Sequence, residues 1–389
     1  MQFSKRMERF GSGIFSVLLE QKQQAIAAGK KVVDLSVGTP NIPPAPHIIK
    51  ALTDAASDPA NYVYAIKDSS ALLKAAAYWY KNRYGVELDP DTEIDSLLGS
   101  QDGLSHLALT IADEGDTVLV PDPCYPVFAD GPALAGARLV YMPLKPENNY
   151  LVDFDAIDPE DAKKAKLMVV SYPNNPTTAA APDWWYEKLI AFAKKYDIIV
   201  LHDNAYSELA FDGLRCGSFL AHEGAREVGV EFNSLSKTYG LAGARIGFCL
   251  GNAEVVQKLG QLKSNLDYGM FLPVQAAAIA AITGDQSCVE TTREAYRKRR
   301  DILCDGLTAI GWKVERCPAT MFVWAKLPDG YTDSVQFCRE LLEKSGVMVT
   351  PGAAFGPSGE GHVRMALVQS DEEMRWAIDS IAKSGILKK

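Results

Sequence analysis

DWWYEKLIAFAKKYDIIVLHDNAY, residues 183–206, changes its period midway. The part through Tyr196 has the apolar spacing of a helix, whereas IIVLHD, from residue 198, is a short β-rich run. The same grammar recurs outward in both directions: TVLV at 117, LMVVSY at 167 and VGVEF at 228 are β-rich runs separated by stretches with helical spacing. Near-continuous apolar strands imply a sheet covered on both faces, hence mostly parallel. This is an α/β domain. From about Thr291 the pattern changes to a long charged helix, REAYRKRRDILCDGLTAIG, followed by strands around FVWAKL and HVRMALV with helices between and after, which predicts a smaller α+β lobe. The opening segment, a helix and then VVDLSVGTPNIPP, is too short for its own core and is expected to pack on that lobe. The expected division is therefore an N-terminal segment 1–45, a large domain 46–290 and a small C-terminal domain 291–389.

Composition narrows the function. With 389 residues, 47% apolar and 23% charged, the chain has the make-up of an ordinary globular protein with room for two cores. A formal charge of −9 repels phosphate backbones and anionic membranes, which argues against a nucleic-acid or membrane partner. The seven cysteines are scattered and form no C-x-x-C pair, and the five histidines show no H-E-x-x-H spacing. No metal is expected, and the cysteine usage suits a reducing compartment. The N-terminus is charged without a signal-like apolar core, and the longest apolar run, PVQAAAIAAI from Pro273, is too short to span a bilayer. A cytoplasmic location is the expectation.

In open parallel sheets, ligands bind beyond the carboxyl ends of the strands. After TVLV comes PDPCYPVF with Tyr125; after LMVVSY comes PNNPTT with Asn175. After IIVLHD come Asp203 and Tyr206; after VGVEF come Ser234, Ser236 and Lys237. A parallel sheet would turn all of them to one crevice. Earlier, LLGSQDGLSHLAL has a glycine turn entering a helix, so the amides of Ser100, Gln101 and Asp102 are placed to meet an anion.

Taken singly, each feature has a plainer use: Tyr125 as packing, Asp203 as a turn cap, the glycine turn as a turn. Two nucleotide motifs fail on spacing. Glu231 and Ser236 stand where a phosphate loop ending in Lys237-Thr238 requires glycines, and GSGIF at Gly11 lacks the third glycine of a dinucleotide fingerprint.

The joint pattern is more specific. S-x-S-K at Ser234–Lys237, Arg245 beyond it, D-x-x-Y at Asp203–Tyr206 and N-N-P-T from Asn174 resemble, in order, the fold-type I aminotransferases of class I/II, from about Gly38 to Arg364. The resemblance implies a pyridoxal 5′-phosphate (PLP) cofactor, which supplies carbanion stabilisation while the protein orients and tunes it. Lys237 resembles the lysine that forms a Schiff base with the cofactor and then moves the substrate proton. Asp203 resembles the partner of the pyridine nitrogen, Tyr206 and Asn175 the donors to the phenolic oxygen, and Tyr125 the ring stacked on the pyridine. Ser234, Arg245 and the amides of Ser100, Gln101 and Asp102 resemble the phosphate site, with Ser236 beside it. For Arg245 to reach that crevice, ARIGFCL must run antiparallel to the other strands. Tyr64 in NYVYAIKD resembles the tyrosine sent to the neighbouring subunit's phosphate, which implies a homodimer with shared sites. Arg364 resembles the clamp for the substrate α-carboxylate, with Asn175 and Gly38 in the same pocket, Gly38 because a side chain would crowd the substrate. One departure is Thr178, where the family usually has glycine, so a different local turn is expected.

KSNLDYGMFLPVQAAAIAAI and DNAYSELAFDG further resemble the LL-diaminopimelate aminotransferase branch, which includes relatives acting on methionine, alanine or aromatic amino acids. The implied activity is transfer of an α-amino group between an amino acid and a 2-oxoacid in two half-reactions. An alternative on the same cofactor is a carbon–sulfur β-lyase, which would release pyruvate and ammonia without an acceptor.

Overall fold

The computed structural model describes residues 1–10 and 14–388; Gly11, Ser12 and Gly13, of the GSGIF stretch, lie outside the described residues. The strands among them are β1 (Val33–Asp34), β2 (Ile94–Leu97), β3 (Thr117–Asp122), β4 (Arg138–Pro143), β5 (Ala165–Ser171), β6 (Ile199–Asp203), β7 (Gly229–Ser234), β8 (Gly247–Gly251), β9 (Phe322–Lys326), β10 (Val347–Met348), β11 (Thr350–Pro351) and β12 (His362–Ala366).

Alternate residues of β5 enter different cores. Leu167 and Val169 join the cluster of Leu201 and Phe232, while Met168 and Val170 join that of Trp185 and Val200. A strand buried on both faces needs cover above and below. One cover is the helix Asp183–Tyr196, which turns Trp185, Tyr186, Leu189, Ile190 and Ala193 to the sheet at helical spacing. It ends at Asp197, in the left-handed conformation (φ 56°), and β6 starts two residues later.

The large sheet has seven strands in the order β2-β8-β7-β6-β5-β3-β4. β4, β3, β5, β6 and β7 are parallel, and β8 runs antiparallel to both β7 and β2. The antiparallel direction expected for ARIGFCL is therefore observed. The smaller lobe contains the antiparallel sheet β11-β12-β9 and the long helix Ser287–Ala309, which begins a little before the charged run that announced it. The opening segment joins this lobe: β1 pairs in parallel with β10, and Val33 and Leu35 share a core with Leu303, Phe337, Val363 and Ile378. Thr350 Oγ1 donates to the Ser36 carbonyl at 2.9 Å across the same seam. The architecture is the expected α/β fold, a mostly parallel, helix-covered sheet beside an α+β lobe. Among the described residues no helix is long and apolar enough to cross a membrane.

Candidate active site

Because β3, β5, β6 and β7 are parallel, their carboxyl ends open on one side. A cavity of about 370 Å³ lies there, lined by Tyr125, Asn175, Asp203, Tyr206, Ser234, Ser236 and Lys237 from those ends. Gly38, Ser100, Gln101, Arg245 and Arg364 complete the lining from other parts of the chain. Arg245 arrives because β8 returns antiparallel to β7, with Gly247 opposite Ser234.

Lys237 sits on a single helical turn, Leu235–Thr238, which Ser234 caps by accepting the Ser236 N–H. Its Nζ donates to the Gly38 carbonyl at 3.1 Å. Burial, helped by the positive charges of Arg364 and Arg245 and opposed by Asp203, lowers the ammonium pKa to about 8. Asp203 ends β6 and is buried, and its Oδ1 has no hydrogen-bond partner. Burial and then the Glu231 carboxylate push its pKa up to about 7, against the pull of Lys237. Amine and carboxyl are thus drawn from opposite ends of the scale towards neutrality.

Glu231 stands beside His202, the residue preceding Asp203, in the register of β6 and β7. It is fully buried and held by the Tyr80 hydroxyl (2.8 Å), the Ser218 hydroxyl (2.7 Å), the Phe219 N–H (2.8 Å) and His202 Nδ1 (2.9 Å). Burial works to raise its pKa, but the hydrogen bonds from His202, Ser218 and Tyr80 outweigh it and hold the carboxyl below its ordinary value.

Arg364 is only 1% exposed, and burial lowers its pKa to about 10. Its guanidinium donates to Asn175 Oδ1 at 2.9 Å and to the Ser36 carbonyl at 2.8 Å, so Asn175 and Arg364 are coupled across the two lobes. The Tyr125 hydroxyl donates to Gln101 Oε1 at 3.0 Å. Tyr206 is buried, which raises its pKa, and its ring meets Phe322 edge-on at 5.8 Å.

One expectation needs correcting. Asp102 does not line the cavity: its N–H is spent on the Gly99 carbonyl (3.0 Å), and its carboxylate takes the Leu98 N–H (2.9 Å), His106 Nδ1 (2.8 Å) and the Lys263 ammonium. A helix that starts this tightly satisfies its third amide internally. Thr178 takes φ 66°, a conformation that glycine favours, with its N–H bonded to the Asn174 carbonyl at 2.9 Å. Gly38 lines the cavity, and an added Cβ there would lie 2.5 Å from the Phe322 ring, so the protein itself leaves it no room. Tyr64 lies outside the cavity of its own chain, 82% exposed, with its ring edge-on to Tyr268 at 5.9 Å.

Two contributors escaped the sequence reading. Gly99 (φ 78°) has no room for a Cβ, which would lie 2.4 Å from the Arg245 guanidinium; the glycine turn was visible but its close neighbour was not. Phe322 lines the cavity from a strand whose sequence carries no sign of it.

The residues fit PLP. The unpartnered Asp203 oxygen is suited to a protonated ring nitrogen, Gly99 leaves the space beside Arg245 and Ser100 that an anionic arm needs, and Lys237 offers an amine of lowered basicity. Comparison with known proteins agrees. The family described as aminotransferase class I and II matches residues 30–381. The chain is 43% identical to the LL-diaminopimelate aminotransferase of Halothermothrix orenii over 99% of each chain, and 44% identical to that of Dehalococcoides mccartyi over 98% of each. It is also similar to the substrate-bound structure of BacF from Bacillus subtilis, with a TM-score of 0.95 and 38% identity over 98% of both chains. A cavity suited to this cofactor and a match along nearly the whole sequence lead to one conclusion: the chain belongs to the class I and II aminotransferases, enzymes that act on amino acids and 2-oxoacids with pyridoxal 5′-phosphate.

Proposed function

We propose that this aminotransferase takes LL-diaminopimelate, the substrate named for the relatives above, or an amino acid of similar reach as its donor, and that the cavity residues divide the work as follows. Bound PLP supplies an electron sink that makes the substrate Cα–H acidic. Lys237 holds the cofactor and then receives the Cα proton on Nζ, a role that needs a neutral amine and so a pKa near 8. Asp203 keeps a proton on the ring nitrogen facing its buried oxygen, a charge-assisted bond strengthened by exclusion of water. Tyr206 and Asn175 orient the phenolic oxygen, and Tyr125 covers the ring face. Ser234, Ser236, Arg245 and the amides of Ser100 and Gln101 hold the phosphate. Arg364, steadied by Asn175, meets the α-carboxylate with its planar fork next to Gly38.

Tyr64 is assigned to the neighbouring subunit's phosphate in a cytoplasmic homodimer. The large domain, 46–290, carries the cofactor residues, and the small lobe, built from 1–45 and 291–389, carries the carboxylate clamp. The observation that supports this division of labour is the pairing in one cavity of a buried carboxyl lacking a partner with an amine of lowered pKa. The test is a panel of amino donors, LL-diaminopimelate among them, assayed with 2-oxoglutarate and pyruvate as acceptors. Turnover of LL-diaminopimelate well above methionine, alanine and aromatic donors is expected. Preference for one of those would overturn the substrate, and pyruvate plus ammonia released without an acceptor would identify a β-lyase instead.

A further inference from the structure

Phe322 has no part in the roles above, yet its ring touches three residues that do. In the β9–β12 pairing Phe322 stands opposite Ala366 and Trp324 opposite Arg364, so Phe322 is the diagonal neighbour of Arg364 on the same face. The Arg364 guanidinium carbon lies 4.1 Å from the centre of the Phe322 ring and 4.7 Å from that of Phe355. The same ring meets the edge of Tyr206 and fills the space where a Gly38 side chain would stand, and the Gly38 carbonyl is the one that accepts from Lys237. The backbone aims the ring deliberately. Thr320, buried and β-branched, is held at φ 73°, and its Oγ1 accepts the Phe322 N–H at 3.1 Å.

We propose that Phe322 is a positioning residue for the carboxylate clamp, its ring holding the guanidinium fork in the plane that a substrate carboxylate must share. A guanidinium resting on an aromatic face keeps its edge for hydrogen bonding and gains from the ring quadrupole. An aliphatic side chain of similar size fills the space without fixing that plane. The inference rests on Arg364 being the α-carboxylate site.

The test uses the PLP-loaded enzyme with Phe322→Leu and Phe322→Tyr, and Phe322→Met in case the leucine variant does not fold. Propionate is the carboxylate probe, read as a competitive inhibitor. In the leucine or methionine variant, the KM for the amino donor and the propionate inhibition constant are expected to rise about tenfold, the cost of immobilising on binding a long side chain that the ring no longer holds in place. The kcat at saturation changes less than about threefold, and affinity for PLP stays within about twofold, since uniform binding alone has been weakened. Tyrosine, which keeps the ring face, restores both constants. Propionate binding as in wild type, or kcat, KM and PLP affinity falling together, overturns the role. A wild-type enzyme indifferent to propionate, or an Arg364→Ala variant that binds it equally well, refutes the carboxylate site itself, a separate failure.

Discussion

Asp203 is costly to the fold when nothing faces it. A carboxyl whose pKa in the fold is about 7, against an ordinary 3.8, contributes most to stability while protonated. That contribution is complete below about pH 4 and is lost as the pH climbs to about 7. Cofactor-free Asp203→Asn is therefore expected to melt above cofactor-free wild type at pH 8, by about a degree or more, with the gap closing below pH 4. Calorimetry at the two pH values checks this, and an equal or lower melting point at pH 8 contradicts it. The loaded proteins should reverse the order, because the amide cannot hold the ring nitrogen's proton. The residues of this scale were largely legible: Lys237, Asp203 and Asn175 each follow an apolar run, and the parallel sheet did the rest. Phe322 and Gly99 were not, because what matters there is a ring or guanidinium brought close from far along the chain.

Between elements, Glu231 is a junction. It ties β7 to the neighbouring strand through His202, to the helix Ser70–Tyr84 through Tyr80, and to the turn at Ser218 and Phe219. Glu231→Ala would strand these donors in a dry interior, at a cost of about 3–5 kcal/mol, a fall of several degrees in Tm. A thermal melt unchanged within a degree would show that the network is dispensable. In the sequence, Glu231 served only to exclude a phosphate loop, since a lone acidic residue in an apolar run does not disclose its partners. The existence and shared direction of β3, β5, β6 and β7 were readable from the runs themselves, whereas the antiparallel course of β8 followed only from the place the resemblance gave Arg245. The fate of the Asp102 amide was not, because it depended on how tightly the first turn of its helix closes.

At the scale of the molecule, Tyr62, Val63, Tyr64 and Ile66 are exposed together with Leu266, Tyr268 and Phe271; the Tyr62 and Phe271 rings lie 5.3 Å apart. So much contiguous apolar surface suits a protein contact, here the second copy in the proposed homodimer. Shared sites make a specific prediction. Lys237→Ala and Tyr64→Ala subunits, each poor alone, should regain about a quarter of wild-type activity when mixed and reassorted, because each mixed dimer carries one intact site. Recovery no greater than the average of the separate variants would mean that each chain completes its own site. The two-lobe plan was visible in the change of pattern near Thr291, but the partner's contribution rested on Tyr64 alone.

The pairing of β1 with β10 also bears on how the protein is made. Ser36 and Thr350, joined by a hydrogen bond, are 314 residues apart in the chain, and closing so large a loop is entropically expensive. On the ribosome, the parallel sheet can assemble from contiguous sequence while β1 waits for β10, which is made after every strand of that sheet. Gly38 and Arg364 lie close to the two sides of that seam, so the proposed carboxylate grip can form only once residues 347–364 are made, later than the sheet that leads to Lys237.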